Sequence, residues 1–303
     1  MTVQAPTATS TVTAHARAPR PAPRRRGRGR IGIDRRPGWF AYTLVSVFFI
    51  AGAYPLYWSF IIGATGNKAL TETWPPLLPG GQFWKNTAAV FDTVPFWLAL
   101  GNSVIVSTVI AASVVFFSTL AGYAFAKLRF RGREGLMVFV IATLAVPTQL
   151  GIIPMFMVMK ELGWTGTLGA VIVPTLVTAF GVFFMRQYLV DVIPDELIEA
   201  ARMDGASMIG TFWHVGMPAA RPAMAILGLF TFMTAWTDYL WPLLVVPQNP
   251  TLQVALSQLQ SARYVDYSIV LAGAVLATLP LLAVLIVAGK QLVGGIMAGA
   301  VKG

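Results

Sequence analysis

Residues 98–126, LALGNSVIVSTVIAASVVFFSTLAGYAFA, contain no charged side chain. A helix that crosses the hydrocarbon core of a bilayer needs about 20 mostly apolar residues, and this stretch is longer. Lipid offers the backbone no hydrogen-bond partner, so a segment of this kind is stable in a membrane only as a helix. The stretch therefore predicts an all-α integral membrane protein.

Five further segments of the chain have the same character. The 303-residue chain is 56% hydrophobic and 11% charged, whereas a soluble domain normally carries about a quarter charged residues. The only charged residue within the six segments is Asp238. We expect a six-helix transmembrane domain over residues 37–303, with spans at about 39–62, 98–126, 136–159, 168–185, 223–246 and 269–288. Prolines at 55, 147, 154, 174 and 280 can kink these spans.

Loop charge orients the predicted spans, because Lys and Arg accumulate on the cytoplasmic side. If the N-terminus is cytoplasmic, all but four of the 22 Lys and Arg residues fall on that side. The four exceptions are Lys68, Lys85, Lys160 and Arg263. Both termini and the loop 188–222 are therefore expected in the cytoplasm.

Residues 1–36 are rich in Arg and Pro and have few large apolar side chains. Such a segment cannot bury enough surface to fold, which predicts a disordered cytoplasmic tail near anionic lipid. A signal peptide is the alternative, but the apolar run that follows is too long and lacks a small-residue cleavage site. The net charge of +10 is concentrated in this tail, so we expect no nucleic-acid partner.

The outer loop between the first two spans predicts a short helix or turn, with Trp74, Trp84 and Trp97 as interfacial anchors rather than ligand contacts. The sequence contains few residues that could carry out catalysis or bind a metal. The sequence contains no cysteine and two histidines, His15 and His214. It also contains no nucleotide-binding P-loop and no metalloprotease motif. We therefore expect no catalytic residue, metal or cofactor in this chain.

An ion-driven transporter usually needs several ionisable groups within the membrane. The predicted spans contain one, Asp238, which makes an ion-driven mechanism less favoured. A secondary transporter or facilitator of a polar solute remains the alternative to a transporter driven by a partner protein.

The cytoplasmic stretch 195–218, DELIEAARMDGASMIGTFWHVGMP, predicts two short helices. Pro194 suits a first helical position, with Ile193 as a staple residue, and the acidic residues that follow favour the positive helix end. Gly205 permits a left-handed turn. The run 207–217 predicts a second amphipathic helix, which Pro218 and Pro222 would end.

The two faces of the first helix differ in character. Helical periodicity places Asp195, Glu199 and Arg202 on one face, with a weak Glu199–Arg202 ion pair. The other face carries Leu197, Ala200 and Ala201, whose small alanines would let a partner approach closely. An ordinary solvated hairpin is the alternative.

The spacing of residues along this stretch favours a helix that docks on a partner protein over an ordinary solvated hairpin. Glu199-Ala200-Ala201, three residues, Gly205, nine residues, Val215, one residue, Met217 and Pro218 resembles the EAA loop of ATP-binding-cassette (ABC) importer permeases. In that family Ile and Leu stand where this chain has Val215 and Met217. The C-terminal GKQLVGGIMAGAVKG, residues 289–303, and FTFMTAWTDYLWPLLV, residues 230–245, are similar to the shorter permease of the maltose-type sugar subfamily.

The resemblance implies a type I ABC importer permease fold in a carbohydrate importer. The EAA loop would be a coupling helix docked on an ATPase, with Asp204 among its contacts. Four tail residues would contact the ATPases: Gly294, Gly295, Gly299 and Lys302. The implied partners are a second homologous permease, two ATPase subunits that hold ATP-Mg, an extracytoplasmic sugar-binding protein and the lipid bilayer.

Four residues are candidates for the substrate pathway: Gln149, Trp236, Asp238 and Tyr239. Asp238 would accept a hydrogen bond from a polar substrate, with the two aromatic residues beside it. Its alternative role is structural pairing with a neighbouring helix. In maltose-type systems the partner permease holds most of the sugar.

Overall fold

The computed structural model describes residues 38–70, 72, 76–261 and 265–300, the last eleven of these by their backbone only. The tail 1–36, Trp74, Arg263 and Lys302 lie outside the described residues. Every regular element of the described chain is helical. The helices are α1 Trp39–Thr65, α2 Phe83–Thr93, α3 Phe96–Lys127, α4 Arg133–Leu144, α5 Ile152–Glu161, α6 Leu168–Ile172, α7 Ala179–Val192, α8 Asp195–Met203, α9 Met208–Thr211, α10 Met217–Thr237, α11 Leu240–Val245, α12 Leu252–Gln258 and α13 Tyr267–Ala300.

The chain divides into two units, Met1–Gly52 and Ala53–Gly303. The described part of the first unit is the first half of α1. In the second unit, the long helix α3 packs chiefly on α7 and α10. Glycine makes the α3–α7 contact close: a Cβ at Gly122 would lie 2.7 Å from the backbone nitrogen of Arg186.

Four described helices are long and apolar enough to cross a membrane, and the number rises to six if each of two bent pairs is one span. Three of the four correspond to the predicted first, second and sixth spans, α1, α3 and α13. The fourth runs from Met208 to Thr237. The short helix predicted in the outer loop is α2.

The third and fourth predicted spans are not continuous helices. The chain bends by 91° between α4 and the segment Thr148–Glu161, and by 40° between Leu168–Thr175 and α7. Pro147 lies at the first bend, and Pro174 lies in the 3₁₀ turn Val173–Thr175 just before the second. Proline lacks the N–H that a helix needs, and its ring clashes with the preceding turn. At the second bend Thr178 caps α7, its hydroxyl accepting a hydrogen bond from the Gly181 backbone N–H at 3.1 Å.

The fifth predicted span, 223–246, also differs from the structure. The helix begins earlier and ends at Thr237, after which Asp238 is extended and α11 starts at Leu240. Pro242 accounts for the break, because its ring would clash with the Asp238 carbonyl four residues earlier in a continuous helix. The break places a carboxylate and the ends of two helices in the second half of the predicted span.

Two buried clusters hold the second unit together. One lies among α3, α7, α8 and α10 and includes Tyr123, Ile198 and Phe212. The other lies where α2, α12 and α13 meet the start of α3 and includes Trp236. Asn102 of α3 ties the second cluster to the loop before α12, donating to Asn249 Oδ1 at 2.8 Å and to the Pro250 carbonyl at 2.9 Å.

Candidate functional site

The N-terminus of α8 is joined to the end of α3 by an ion pair. The Lys127 ammonium donates to Asp195 Oδ1 at 2.8 Å, and the Lys127 side chain is only 5% exposed whereas that of Asp195 is 70% exposed. The hydrogen bond and charge of Lys127, followed by the charges of Arg129 and Arg133, hold the pKa of Asp195 below its ordinary value. Among the described residues, this is the ion pair that α8 makes. Glu199 and Arg202 were predicted to pair with each other, and they form no ion pair in the structure.

Ile198 fixes α8 to the body of the protein. It is 4% exposed and belongs to the buried cluster of Tyr123 and Phe212. Glu199 and Ala200 are exposed, Ala201 is half-buried, and Leu197 is 48% exposed. The helix therefore presents its acidic and small residues outward while one isoleucine holds it from below.

The two ends of α8 differ in how closely they match the prediction. Pro194 precedes the helix in extended conformation instead of occupying its first turn. At the other end Gly205 has φ +84°, in the left-handed region that glycine adopts without strain. The Gly205 N–H donates to the Arg202 carbonyl and the Ala206 N–H donates to the Ala201 carbonyl, both at 3.0 Å. The predicted turn is confirmed, and Asp204 lies exposed just before it.

The second helix of the loop does not end at the prolines. Ser207 caps α9, with its hydroxyl accepting from the Gly210 N–H at 3.0 Å. A π-helical turn, Phe212–Gly216, then leads directly into α10, so Pro218 lies in its first turn and Pro222 inside it. A first turn tolerates proline because its N–H groups lack intrahelical partners. The prediction that these prolines separate two helices is wrong.

The second half of the motif points into the protein. Val215 and Met217 are half-buried and pack against the first cluster, while Pro218 is exposed. Gly216 meets the ring of Tyr123, since a Cβ there would lie 2.8 Å from Tyr123 Cδ2. The motif thus combines an outward part, 199–205, with an inward part that anchors it to α3.

At the C-terminus, Gly294, Gly295 and Gly299 lie in the backbone of α13, which stays helical to Ala300. Among the described residues, no group of His, Asp and Glu side chains could hold a metal ion.

The four predicted pathway residues line two different cavities. Gln149 and Asp238 line a cavity of about 690 Å³ with Trp241 and Val171. Trp236 and Tyr239 line one of about 430 Å³ with residues of α12 and α13. Thr237 lines both cavities, so the helix break at 237–239 separates them.

Trp236 has a structural role in this arrangement. It is 2% exposed, its indole N–H donates to the Ala277 carbonyl at 3.2 Å, and its ring stacks on Phe232. Tyr239 is 41% exposed and remains accessible at the cavity.

Three contributions to these sites were not predicted. Lys127 and Ile198 hold α8, and the polar residues of α12 line the smaller cavity. Two of the α12 residues could have been found from the sequence, since Gln253 and Ser257 are four positions apart, the spacing of one helical face. The contact between Lys127 and Asp195 had none, because the two residues are 68 positions apart.

Comparison with known proteins places these features in context. A family model described as binding-protein-dependent transport system inner membrane component matches residues 115–294. The arabinooligosaccharides transport system permease protein AraQ of Halalkalibacterium halodurans is 35% identical over 69% of this chain and 75% of its own length. The lactose transport system permease protein LacG of Rhizobium radiobacter is 34% identical over 88% of this chain and 97% of its own.

One further relative and one solved structure extend the comparison. The sn-glycerol-3-phosphate transport system permease protein UgpE of Pectobacterium atrosepticum is 29% identical over 85% of this chain and 95% of its own. The structure belongs to a bacterial ABC transporter involved in the import of the acidic polysaccharide alginate. It matches with a TM-score of 0.70 and 25% identity, over 83% of this chain and 94% of that one.

Proposed function

Because the chain belongs to the family of binding-protein-dependent transport system inner membrane components, we propose that it forms half of the translocation pathway of an ATP-driven sugar importer. The family is one of transport permeases and not of catalytic enzymes. Relatives named for lactose and arabinooligosaccharides support a sugar cargo. ATP-Mg would be held by two partner ATPases, and an extracytoplasmic sugar-binding protein and a second permease would complete the importer.

The topology is part of this proposal. α1, α3, α10 and α13 would each cross the membrane, and the pairs α4–α5 and α6–α7 would each form one bent span. Both termini and α8 would then lie in the cytoplasm, as the loop charges favour. The chain would be a multi-pass protein of the bacterial cytoplasmic membrane.

The observation that carries the proposal is the exposed face of α8. Glu199, Ala200 and Gly205 are exposed, while Ile198 and Lys127 tie the same helix to the packed helices of the second unit. A helix held in this way can transmit a push from a docked partner to α3. Closure of the ATPase dimer on ATP would move α8 and open the pathway outward, and hydrolysis would reset it. The tail residues Gly294, Gly295, Gly299 and Lys302 would contact the same ATPases.

Glu199→Ala tests the docking contact. A charge-assisted hydrogen bond contributes about 1.5–3 kcal/mol, which corresponds to roughly 10- to 150-fold weaker ATPase binding. The matched control is Glu196→Ala, which removes an exposed carboxylate of the same helix outside the motif. We expect loss of ATP-dependent sugar uptake and of ATPase co-purification in the first variant alone. Normal uptake by Glu199→Ala at normal expression would contradict the docking role.

Gly205→Asp tests whether a partner approaches the turn. A Cβ at Gly205 meets nothing within 4 Å in this chain, so a side chain there obstructs only a partner. Gly132 has a similar φ of +82° and equally open surroundings in the loop between α3 and α4. Gly132→Asp therefore carries the same backbone strain without the motif. Uptake should be lost in the Gly205 variant and kept in the Gly132 variant; equal loss in both would leave backbone strain as the cause. A facilitator would transport without ATP in every variant.

A further inference from the structure

The two cavities beside the helix break have the size of small-molecule sites. Their volumes of about 690 and 430 Å³ lie within the roughly 300–1,000 Å³ that ligand pockets span. The larger is lined by residues of α3, α5, α10 and α11 and the smaller by residues of α10, α12 and α13. Thr237 contributes to both walls. A solute leaving one cavity would meet the other across this residue.

α12 and the turn that follows it give the smaller cavity a polar wall. Gln253 and Ser257 lie four residues apart on one face of α12, Gln260 lies in the turn that follows the helix, and all three line the cavity. Leu252 and Ala255 are fully buried in the second cluster. The facing wall adds Thr237, Tyr239 and Thr278.

These polar groups are uncharged and can bind a ligand. The hydroxyls of Thr237, Ser257 and Thr278 donate to backbone carbonyls of their own helices at 2.7–2.9 Å, which leaves their oxygens as acceptors. The side-chain amides of Gln253 and Gln260 make no hydrogen bond to another described residue. An amide supplies donors and an acceptor together, as the hydroxyl groups of a sugar require.

The larger cavity repeats this chemistry with one charge added. Gln149 and six threonines line it: Thr148, Thr175, Thr178, Thr231, Thr234 and Thr237. Among the described residues, Asp238 is the only charged residue that lines the larger cavity, and no described Lys, Arg or His lines either cavity. In the part of the chain that the structure describes, the lining of the two cavities therefore offers hydroxyls, amides and one carboxylate, but no cation.

We propose that this chain's half of the pathway selects uncharged polyhydroxylated cargo, and that Asp238 at the helix break rejects anions. An anion moved out of water without a cation beside it carries a large desolvation penalty, and a carboxylate of the same sign adds repulsion. An uncharged sugar finds hydroxyl and amide partners on both sides of the break. The inference rests on the proposed function and narrows its cargo to neutral sugars, to the exclusion of sugar phosphates and acidic glycans.

The chain contains no cysteine, so single cysteines can report on each cavity in the full-length protein in membrane vesicles. Thr234→Cys samples the larger cavity, Ser257→Cys and Thr278→Cys sample the smaller one, and Ser261→Cys, an exposed position after α12, is the reference. Each is treated with a cationic trimethylammonium-ethyl and an anionic sulfonatoethyl methanethiosulfonate. Using two positions in the smaller cavity keeps the test valid if one variant does not fold.

We expect the cation-to-anion ratio of modification rates at Thr234→Cys to exceed the ratio at Ser261→Cys by at least about tenfold, given the strength of charge interactions inside a protein. Adding Asp238→Asn should bring the ratio back to within about threefold of the reference. A ratio at Thr234→Cys equal to the reference would overturn the role of Asp238.

Protection from labelling tests the cargo class directly. Lactose, the sugar for which one relative is named, should slow modification at Ser257→Cys and Thr278→Cys, and sn-glycerol 3-phosphate, the anion for which another is named, should not. Equal protection by both would overturn the inference. Labelling needs no ATPase, so this result is independent of the docking tests on Glu199 and Gly205.

Discussion

Replacing Ile198 with alanine should release α8 from the helices α3, α7 and α10 that surround the first buried cluster. Ile198 is 4% exposed, and the substitution removes three carbon atoms from the buried cluster. At about 0.8 kcal/mol for each buried CH₂ group, this loses about 2.4 kcal/mol, and the cavity left behind brings the cost to about 2–5 kcal/mol. α8 has nine residues, too few for a helix to be stable without tertiary contacts.

The predicted consequence is local opening of α8. A loss of at least about 2 kcal/mol raises the open population roughly 30-fold, because 1.4 kcal/mol corresponds to a factor of ten. Amide hydrogen exchange over residues 195–203 in the purified, nucleotide-free protein measures this population. The matched control is Leu197→Ala, the adjacent residue of similar size, which is 48% exposed.

We expect faster exchange in the Ile198 variant and near-native exchange in the Leu197 variant, with unchanged exchange in α3. If exchange in α8 of the Ile198 variant stays within about twofold of the native protein, Ile198 is not the anchor and the reasoning is refuted.

Three further perturbations follow from the same contacts. Because Asp195 has a lowered pKa, its pair with Lys127 stabilises α8 above the ordinary pKa of 3.8 and is lost as the pH falls through the lower folded value. The protection factors of the α8 amides, which are corrected for the pH dependence of intrinsic exchange, should therefore stay constant down to about pH 4, and Lys127→Ala should lower them at neutral pH. Gly122→Ala should destabilise the protein in detergent by about 1–3 kcal/mol through overpacking against α7, whereas Gly101→Ala, in open space on the same helix, should be neutral or slightly stabilising in thermal melts. Truncation before Gly294 should reduce ATP-dependent uptake, and full uptake by the shortened chain would remove the proposed tail contact.

The sequence predicted the helical class, because a long apolar segment has one stable form in lipid. It also indicated the carbohydrate ABC importer permease family through the fixed spacing of the Glu199–Pro218 motif, and the relatives confirm that family. The positions of the helix breaks were predicted only in part. Pro147 and Pro174 were named as possible kink sites, but the surroundings of a proline decide whether it bends a helix, breaks it or is accommodated within it. Pro218 and Pro222 show this, since a π-helical turn leads into α10 and both prolines lie within it.

The candidate functional residues also divide into those that the sequence predicted and those whose arrangement depends on the fold. Glu199, Ala200 and Gly205 could be predicted because helical geometry and a glycine turn depend only on residues close together in the sequence. Their orientation could not, since it depends on Ile198 reaching the cluster of Tyr123 and on Lys127 meeting Asp195 from another helix. The role of these residues in docking stays a prediction.

The sequence by itself therefore determined features under local control: apolar length, the charge bias across the loops and the left-handed turn at Gly205. Only the tertiary structure decided which polar residues share a cavity. Gln149 and Asp238 meet at one, while Trp236 turns away to bond the Ala277 carbonyl. The physical reason is that cavity walls come from helices distant in sequence, and their packing is set by close contacts such as Gly122 against Arg186, which no single segment encodes.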